Sequence, residues 1–162
     1  MKYEIRLIDK PDIHILEKFL YNAIYIPDGS TPLDKGIIYN KDIYNYIEGV
    51  GKDDDIVLGC EYNNKIVALS WSRILNGEVK GYGNIDDDET PEIAISVLKG
   101  YRNKGIGTSL LKEHLKALKN NNYKRVSLSV NKENYALDLY KKLGFDIIKE
   151  NNEDYIMVLN FK

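Results

Sequence analysis

Two runs of different periodicity meet at Arg102-Asn103-Lys104-Gly105-Ile106-Gly107-Thr108. Residues 92–97 form an alternating run that is typical of a strand, and apolar residues then recur at helical spacing as far as Leu118. A strand therefore ends here, a turn follows, and a helix begins. Bare N–H groups at the start of a helix, beside two glycines, make a ready site for an anion such as a pyrophosphate. Arg102 and Lys104 add mobile positive charge at the same place.

Three phosphate-binding patterns compete for this glycine turn. A dinucleotide fingerprint needs a third glycine where Leu110 stands. A Walker loop needs a lysine where Ile106 follows Gly105. The pattern R-x-x-G-x-G fits from Arg102 to Gly107 without exception. Taken alone, the six residues are equally compatible with an ordinary glycine-containing helix start.

The overall composition favours a single globular domain, which we expect to span residues 1–162. Hydrophobic residues make up 43% of the chain, and 23 basic residues against 25 acidic ones give a net charge of −2. That balance does not support a nucleic-acid-binding surface. The charged, alternating start of the chain differs from a signal peptide, and no apolar run approaches the ~20 residues that a membrane span needs. A soluble cytoplasmic protein is the default expectation.

The order of periodic segments predicts an α/β chain with a mixed sheet. Strands are expected at 3–7, 56–62, 65–73, 92–97, 125–130, 145–149 and 155–159, and helices at about 13–23, 40–48, 105–120 and 133–142. The second and third strands form an antiparallel hairpin, since only Asn63-Asn64 joins them.

Two loops have more than one interpretation. The segment 24–39 has many apolar and aromatic residues for a loop, so it borders a binding site or caps the core. The acidic residues 86–89 lack the remaining ligands of an EF-hand and are expected to be a solvated loop. If that loop lies over the active site, it could instead attract a basic acceptor.

A second motif follows the glycine turn by one helix and one strand. The stretch from Asn131 to Phe145 contains Asn134, Ala136, Leu139-Tyr140 and Gly144-Phe145. It resembles a signature of the GNAT superfamily of N-acyltransferases, N-x-x-A-x-x-L-Y-x-x-x-G-F, with a slip of one residue at the alanine. The R-x-x-G-x-G turn resembles the acyl-CoA-binding motif of the same superfamily. The order of elements extends the resemblance over nearly the whole chain, and it is weakest over residues 24–51.

The resemblance implies a fold and a cosubstrate. The fold would be a mixed, mostly antiparallel sheet with a splayed centre and helices on both faces. The cosubstrate would be acetyl-CoA, with no metal. By position, the backbone of Ile95, Ser96 and Val97 would pair with the pantetheine arm, and Asn134 would hydrogen-bond to it. The turn residues that would cradle the pyrophosphate are Arg102, Asn103, Lys104, Gly105, Ile106, Gly107 and Thr108.

The resemblance also implies a direct attack of a primary amine on the thioester. Tyr140 matches the tyrosine that lies near the sulfur, where a phenol can protonate the departing thiolate. Tyr140 also has the spacing of a core residue. Glu92 stands where the superfamily often has a general base, and a solvent-facing glutamate at the strand end is an equal alternative. Cys60 is expected to be a buried, inert thiol rather than a nucleophile.

The function expected from the sequence is therefore an acetyl-CoA-dependent N-acetyltransferase. The acceptor would be a small-molecule or protein amine whose identity the sequence does not reveal, and the resemblance leaves room for a homodimer. The alternative is a catalytically silent acyl-CoA sensor on the same fold, which would keep the glycine turn and would not need Tyr140 or Glu92.

Overall fold

The computed structural model describes residues 2–162, and the predicted alternation of strands and helices is present in them. Their strands are β1 (Glu4–Leu7), β2 (Ile56–Tyr62), β3 (Lys65–Arg73), β4 (Glu92–Val97), β5 (Arg125–Asn131), β6 (Asp146–Glu150) and β7 (Asp154–Asn160). Their α-helices are α1 (Ile13–Ala23), α2 (Lys41–Tyr44), α3 (Ile106–Asn120) and α4 (Ala136–Lys142), and short 3-10 helices cover Lys35–Tyr39 and Lys99–Tyr101.

One sheet holds these strands in the order β1-β2-β3-β4-β5-β7-β6. Neighbouring strands are antiparallel except for β4 and β5, which are parallel and paired only at Glu92 and Ser127. The sheet opens beyond that pair, so the C-terminal half of β4 has a strand partner on one side and a gap on the other. The predicted mixed, mostly antiparallel sheet with a splayed centre is confirmed.

Helices cover both faces of the sheet. Successive side chains of a strand point to opposite faces. Trp71 of β3 packs in one core cluster with Phe19 of α1, whereas Ser70 and Ser72 hydrogen-bond to His114 of α3. The two helices therefore lie on opposite faces, as predicted.

Two predicted helices were too long. Instead of residues 40–48, only Lys41–Tyr44 is α-helical, because the following backbone makes tight i to i+3 bonds, such as that from the Ile47 N–H to the Tyr44 carbonyl. The last helix begins at Ala136 rather than at Glu133. Asparagine side chains explain the later start, since Asn134 Oδ1 accepts from the Ala136 N–H and so replaces a helical bond.

Candidate active site

A cavity of about 490 Å³ lies in the opening of the sheet. Ile95, Ser96 and Val97 of β4 line it, together with residues of the glycine turn and of the turn that leads into α4. The segments predicted to contact the pantetheine arm and the pyrophosphate are thus brought to one space. That space is open because β4 and β5 separate after Glu92.

The glycine turn has the geometry of an anion site. Asn103 and Gly105 have left-handed backbones, with φ of +60° and +81°. Helix α3 begins at Ile106, and no side chain caps its first N–H groups. A Cβ added at Gly105 would meet no heavy atom within 4 Å, so there is open space beside these groups. The uncapped donors fit a diphosphate such as that of coenzyme A.

The residues predicted at this turn are not all placed alike. Those that line the cavity are Arg102, Asn103, Gly105, Gly107 and Thr108. The side chain of Ile106 is instead buried in a core cluster with residues of β2 and β3. Lys104 is exposed and does not line the cavity. Ile106 can therefore contact a ligand only through its backbone. Lys104 can act only through its backbone or through the long-range attraction of its charge.

Arg102 is held in place rather than mobile, contrary to the expectation from its position in a turn. Its Nε–H donates to the carbonyl oxygen of Val97 at 2.9 Å. Asn22 of α1 donates to the same oxygen at 3.0 Å and to Ser96 Oγ at 2.7 Å. The end of β4 is thereby tied to α1 and to the turn, and the Val97 carbonyl is already occupied. Pairing of a pantetheine arm with Val97 is left to the Val97 N–H.

The side-chain oxygen of Asn134 already has a hydrogen-bond partner in the protein. Its Oδ1 accepts from the Ala136 N–H at 2.9 Å, which leaves the amide N–H groups for a ligand. Asn134 lines the cavity in the sheet opening and a second, adjoining cavity. Its predicted bond to the pantetheine arm is therefore sterically open, with Asn134 as the donor.

The second cavity has a volume of about 310 Å³ and shares part of its wall with the first. Ile95, Asn134 and Tyr140 line both. Glu92 lines only the second cavity, and it is the only charged side chain among the described residues that do so. The two candidate catalytic residues thus meet at one space, with Tyr140 at the boundary between the cavities.

Glu92 is buried, with 5% of its surface exposed, so the solvent-facing alternative is wrong. The Tyr46 hydroxyl donates to Glu92 Oε2, while Oε1 has no hydrogen-bond partner among the described residues. Burial raises the pKa of Glu92 to about 7, although the Tyr46 hydroxyl and the nearby backbone N–H of Gly83 act in the other direction. A carboxyl group with this pKa can accept a proton and release it near neutral pH.

Tyr140 is a core residue that also lines both cavities, and its role as a proton donor stays a prediction. It is 8% exposed and packs edge-to-face on Phe145, with ring centroids 5.8 Å apart. Burial raises its pKa to about 12, so the phenol holds its proton at neutral pH. Its packing in the core fixes the ring, and the same ring lines both cavities.

Comparisons with known proteins identify the family of this chain. A family model described as the acetyltransferase (GNAT) family matches residues 21–145. The chain belongs to this GNAT family. An N-alpha-acetyltransferase of Sulfurisphaera tokodaii is 48% identical over 117 residues, or 68% of this chain and 68% of that one. An N-alpha-acetyltransferase of Saccharolobus solfataricus is 44% identical over 59 residues, which span 35% of each protein.

Solved structures show the same GNAT fold. The PaiA N-acetyltransferase of Thermoplasma acidophilum, in complex with coenzyme A, superposes with a TM-score of 0.69 at 20% identity, over 99% of this chain and 100% of that one. A GNAT family acetyltransferase of Elizabethkingia anophelis with acetyl-CoA bound gives a TM-score of 0.63 at 22% identity, over 98% of both. At this identity the likeness concerns the fold alone.

Several residues of this GNAT site were missed by sequence reasoning. Asn22 ties α1 to β4, and Tyr46 bonds to Glu92. Gly81 and Gly83 pack on Glu92 so closely that a Cβ on Gly81 would lie 2.1 Å from Oε1. Tyr46 lies in the stretch 40–48, which was predicted as a helix, and no signal in the sequence marked it as a site residue. The segment 24–39 does border the site, through Ile24 and Tyr25.

The acidic loop and the cysteine do not contribute to either cavity. Burial alone would raise the pKa of Asp87, but hydrogen bonds from Thr90, the Glu89 backbone and Arg125 outweigh it and lower the pKa to about 2. Cys60 is fully buried, as predicted, and burial raises its pKa.

Across residues 2–162 there is no group of three or more side chains arranged to hold a metal ion, and no helix is long and apolar enough for a membrane span.

Proposed function

We propose that this protein transfers the acetyl group of acetyl-CoA to a primary amine by direct attack of the amine on the thioester. The observation that carries the proposal is the buried carboxyl group of Glu92 in the second cavity, which shares part of its wall with the proposed cosubstrate cavity in the sheet opening. Acetyl-CoA, when bound, supplies the thioester that the amine attacks. The uncapped start of α3 and the open edge of β4 support its binding in the sheet opening.

Glu92 is proposed as the general base. An amine in solution is mostly an ammonium ion at neutral pH and has to lose a proton before it can attack. Glu92 in its ionised form takes that proton and later releases it to solvent. Tyr140 gives its hydroxyl proton to the departing thiolate as the carbon–sulfur bond breaks. The attacking nitrogen loses its second proton as the amide forms, and that proton, passed through water, restores the Tyr140 hydroxyl. The reaction forms an amide and free coenzyme A.

The acceptor that we propose is the α-amino group of a peptide or protein. The named activity of the relatives from Sulfurisphaera tokodaii and Saccharolobus solfataricus supports this class. The second cavity, which is the proposed acceptor cavity, supports this class independently. Among the described residues that line it, Glu92 is the only charged one, and the others are apolar or uncharged polar residues. A single ammonium next to an uncharged side chain suits such a lining better than a chain of several cations.

The test is acceptor-dependent release of free thiol from acetyl-CoA. Peptides with a free α-amine should release it, and the same peptides with a blocked N-terminus should not. Because ionised Glu92 is required, kcat/KM should rise with pH through about 7 and then level off, and Glu92→Gln should lose about 100-fold in kcat/KM. Glu89→Gln, in the exposed loop nearby, is the control and should behave as wild type.

The sensor alternative predicts a different result. A silent acyl-CoA-binding module should bind coenzyme A tightly and release no thiol with any acceptor in a broad panel of amines. It also has no use for a buried carboxyl group, since burying an ionisable group without a full set of partners destabilises the fold. Coenzyme A binding without turnover would therefore contradict the proposed function.

A further inference from the structure

The two oxygens of the Glu92 carboxyl group have different surroundings. Oε2 accepts a hydrogen bond from the hydroxyl of Tyr46. Oε1 is buried against Gly81 and has no hydrogen-bond partner among the described residues. An alanine at position 81 would place its Cβ 2.1 Å from Oε1, so only a glycine allows the carboxyl group to lie here.

The direction of the bond between Tyr46 and Glu92 is set by a third group. The backbone N–H of Tyr82 donates to the Tyr46 oxygen at 2.8 Å. An N–H group can only donate, so the Tyr46 oxygen accepts there. The single hydroxyl proton of Tyr46 is then left for Glu92 Oε2. The loop that contains Gly81 and Gly83 thus orients Tyr46, and Tyr46 orients the carboxyl group.

The segment that carries Tyr46 is itself fixed to β3. The backbone carbonyl of Tyr46 accepts a hydrogen bond from Trp71 Nε1 at 3.0 Å. On the other side, Arg73 Nη1 donates to the carbonyls of Asn45 and Glu48 at 3.1 Å and 2.7 Å. The Tyr46 ring stacks on that of Tyr82, with centroids 6.2 Å apart. These anchors lie on both sides of Tyr46 in the chain, so its hydroxyl is held in one place.

No other described charge competes for Glu92. Arg73 is its cross-strand neighbour, but the guanidinium is directed to the buried carboxylate of Asp55, at 3.1 Å. From β5 the facing residue is the uncharged Ser127. The titratable groups that face Glu92 are therefore Tyr46 and, behind it, Tyr82.

We propose that Tyr46 is a positioning residue for the general base: its hydroxyl binds Oε2 of Glu92 and holds the carboxyl group in the wall of the acceptor cavity. The inference rests on the proposed function, in which Glu92 is the base. The hydrogen bond stabilises the ionised carboxylate, so Tyr46 also sets the pH at which the base becomes active.

The experiment replaces Tyr46 by phenylalanine, which keeps the ring and removes the hydroxyl. Carbon NMR of the Glu92 carboxyl group, assigned by its loss in Glu92→Gln, gives the titration directly and needs no acceptor. In Tyr46→Phe the Glu92 titration and the acid limb of the pH profile of kcat/KM should both move upward by about one pH unit. The affinity for acetyl-CoA should stay within about 2-fold of wild type.

Tyr44→Phe is the matched control. Tyr44 lies on the same segment and its hydroxyl bonds to Glu17 at 3.4 Å, away from both cavities. Its removal should leave the Glu92 titration and the pH profile unchanged. The wild-type protein offers a second measurement, because the Tyr46 hydroxyl proton should exchange slowly with water and show a nuclear Overhauser contact to Glu92.

The outcomes separate the two proposals. An unmoved Glu92 titration in Tyr46→Phe, or the absence of the hydroxyl contact in wild type, overturns the positioning role even when Glu92→Gln is inactive. Full activity in Glu92→Gln overturns the assignment of the base and with it this inference, whereas the absence of acceptor-dependent thiol release from the wild type overturns the proposed function. A shift in the NMR titration together with the same shift in the rate profile supports both.

Discussion

Arg102 donates its Nε–H to the carbonyl oxygen of Val97, at 2.9 Å, across the turn that joins β4 to α3. The bond ties the arginine of the R-x-x-G-x-G pattern to the last residue of the strand before it. Asn22 donates to the same carbonyl from α1. The end of β4, which has no strand partner on one side, is thus kept extended by two side chains rather than by a neighbouring strand.

The first prediction concerns Asn22. Asn22→Ala removes the bonds to Ser96 Oγ and to the Val97 carbonyl, so the free edge of β4 becomes less ordered before the ligand arrives. We expect the affinity for coenzyme A to fall about 10-fold, measured by isothermal titration calorimetry. Asn121→Ala is the control, because Asn121 makes the same kind of amide-to-carbonyl bond, to Ala117, at the far end of α3. Equal losses in the two variants would contradict a role for Asn22 at the site.

The second prediction concerns Gly107. This glycine lies in the first turn of α3 and lines the larger cavity, and a Cβ there would only touch Val97, at an ordinary 3.6 Å. Gly107→Ala should therefore fold and bind coenzyme A within about 3-fold of wild type. Gly107→Glu places a negative charge where the diphosphate is expected and should weaken binding by at least about 100-fold. Unchanged affinity in the glutamate variant would place the diphosphate elsewhere.

The sequence could predict those parts of the site that are local in the chain. The strand, the glycine turn and the helix lie within about thirty residues of one another, and their periodicities show the change from strand to helix. The position of Gly105 follows from the turn itself, since its φ of +81° suits glycine. The splay of the sheet came only from the resemblance to a family, because residue spacing does not show where two parallel strands separate.

Contacts between distant segments could not be predicted. Asn22 and Ser96 are 74 positions apart, and Tyr46 and Glu92 are 46 apart. Nothing in the local pattern around either partner marks the other. The burial of Glu92 is of the same kind, because it depends on Gly81 and Gly83 of a loop that the sequence presents only as polar and glycine-rich.

A third prediction follows from two buried groups with opposite pKa shifts. His114 is fully buried between Ser70 and Ser72, and burial lowers its pKa from 6.5 to about 3. As the pH falls below 6.5, the unfolded chain gains a proton that the folded protein does not, so His114 lowers stability. Glu92 has its pKa raised from 4.5 to about 7, so it lowers stability as the pH rises through that window.

Between about pH 4.5 and 6.5 the two effects oppose each other, and the contribution of this pair to the stability of the wild type should be nearly flat. Glu92→Gln should expose the histidine effect, so that its free energy of unfolding falls by roughly 1.4 kcal/mol per pH unit as the pH is lowered. His114→Gln should show the opposite slope. Urea unfolding at several pH values measures both, and His14→Gln, at an exposed histidine, is the control. The same dependence of the unfolding free energy on pH in all variants would contradict the pKa shifts of Glu92 and His114.

The buried ion pair of Arg73 and Asp55 gives a fourth prediction. Arg73 Nε lies 3.1 Å from Asp55 Oδ1, and both side chains are almost entirely buried. Arg73→Met keeps much of the apolar stem but leaves Asp55 Oδ1 without its cation and two backbone carbonyls without their donor. We expect unfolding to become easier by about 3–5 kcal/mol. Arg6→Met breaks the exposed pair with Glu61 and should cost less than about 1 kcal/mol. Thermal unfolding measures both losses of stability, and similar losses in the two variants would contradict the distinction between the buried and the exposed pair.

The last prediction tests Tyr140 as the proton donor to the thiolate. Tyr140→Phe keeps the ring that packs on Phe145 and removes only the hydroxyl, so the fold should be retained. Turnover should fall about 100-fold because the thiolate then has to leave without a positioned proton, while the affinity for acetyl-CoA stays within about 3-fold of wild type. Tyr123→Phe is the control, since that hydroxyl bonds to Asp54 outside both cavities. Wild-type turnover in Tyr140→Phe would reduce Tyr140 to a packing residue, and the leaving thiolate would then have to take its proton from water.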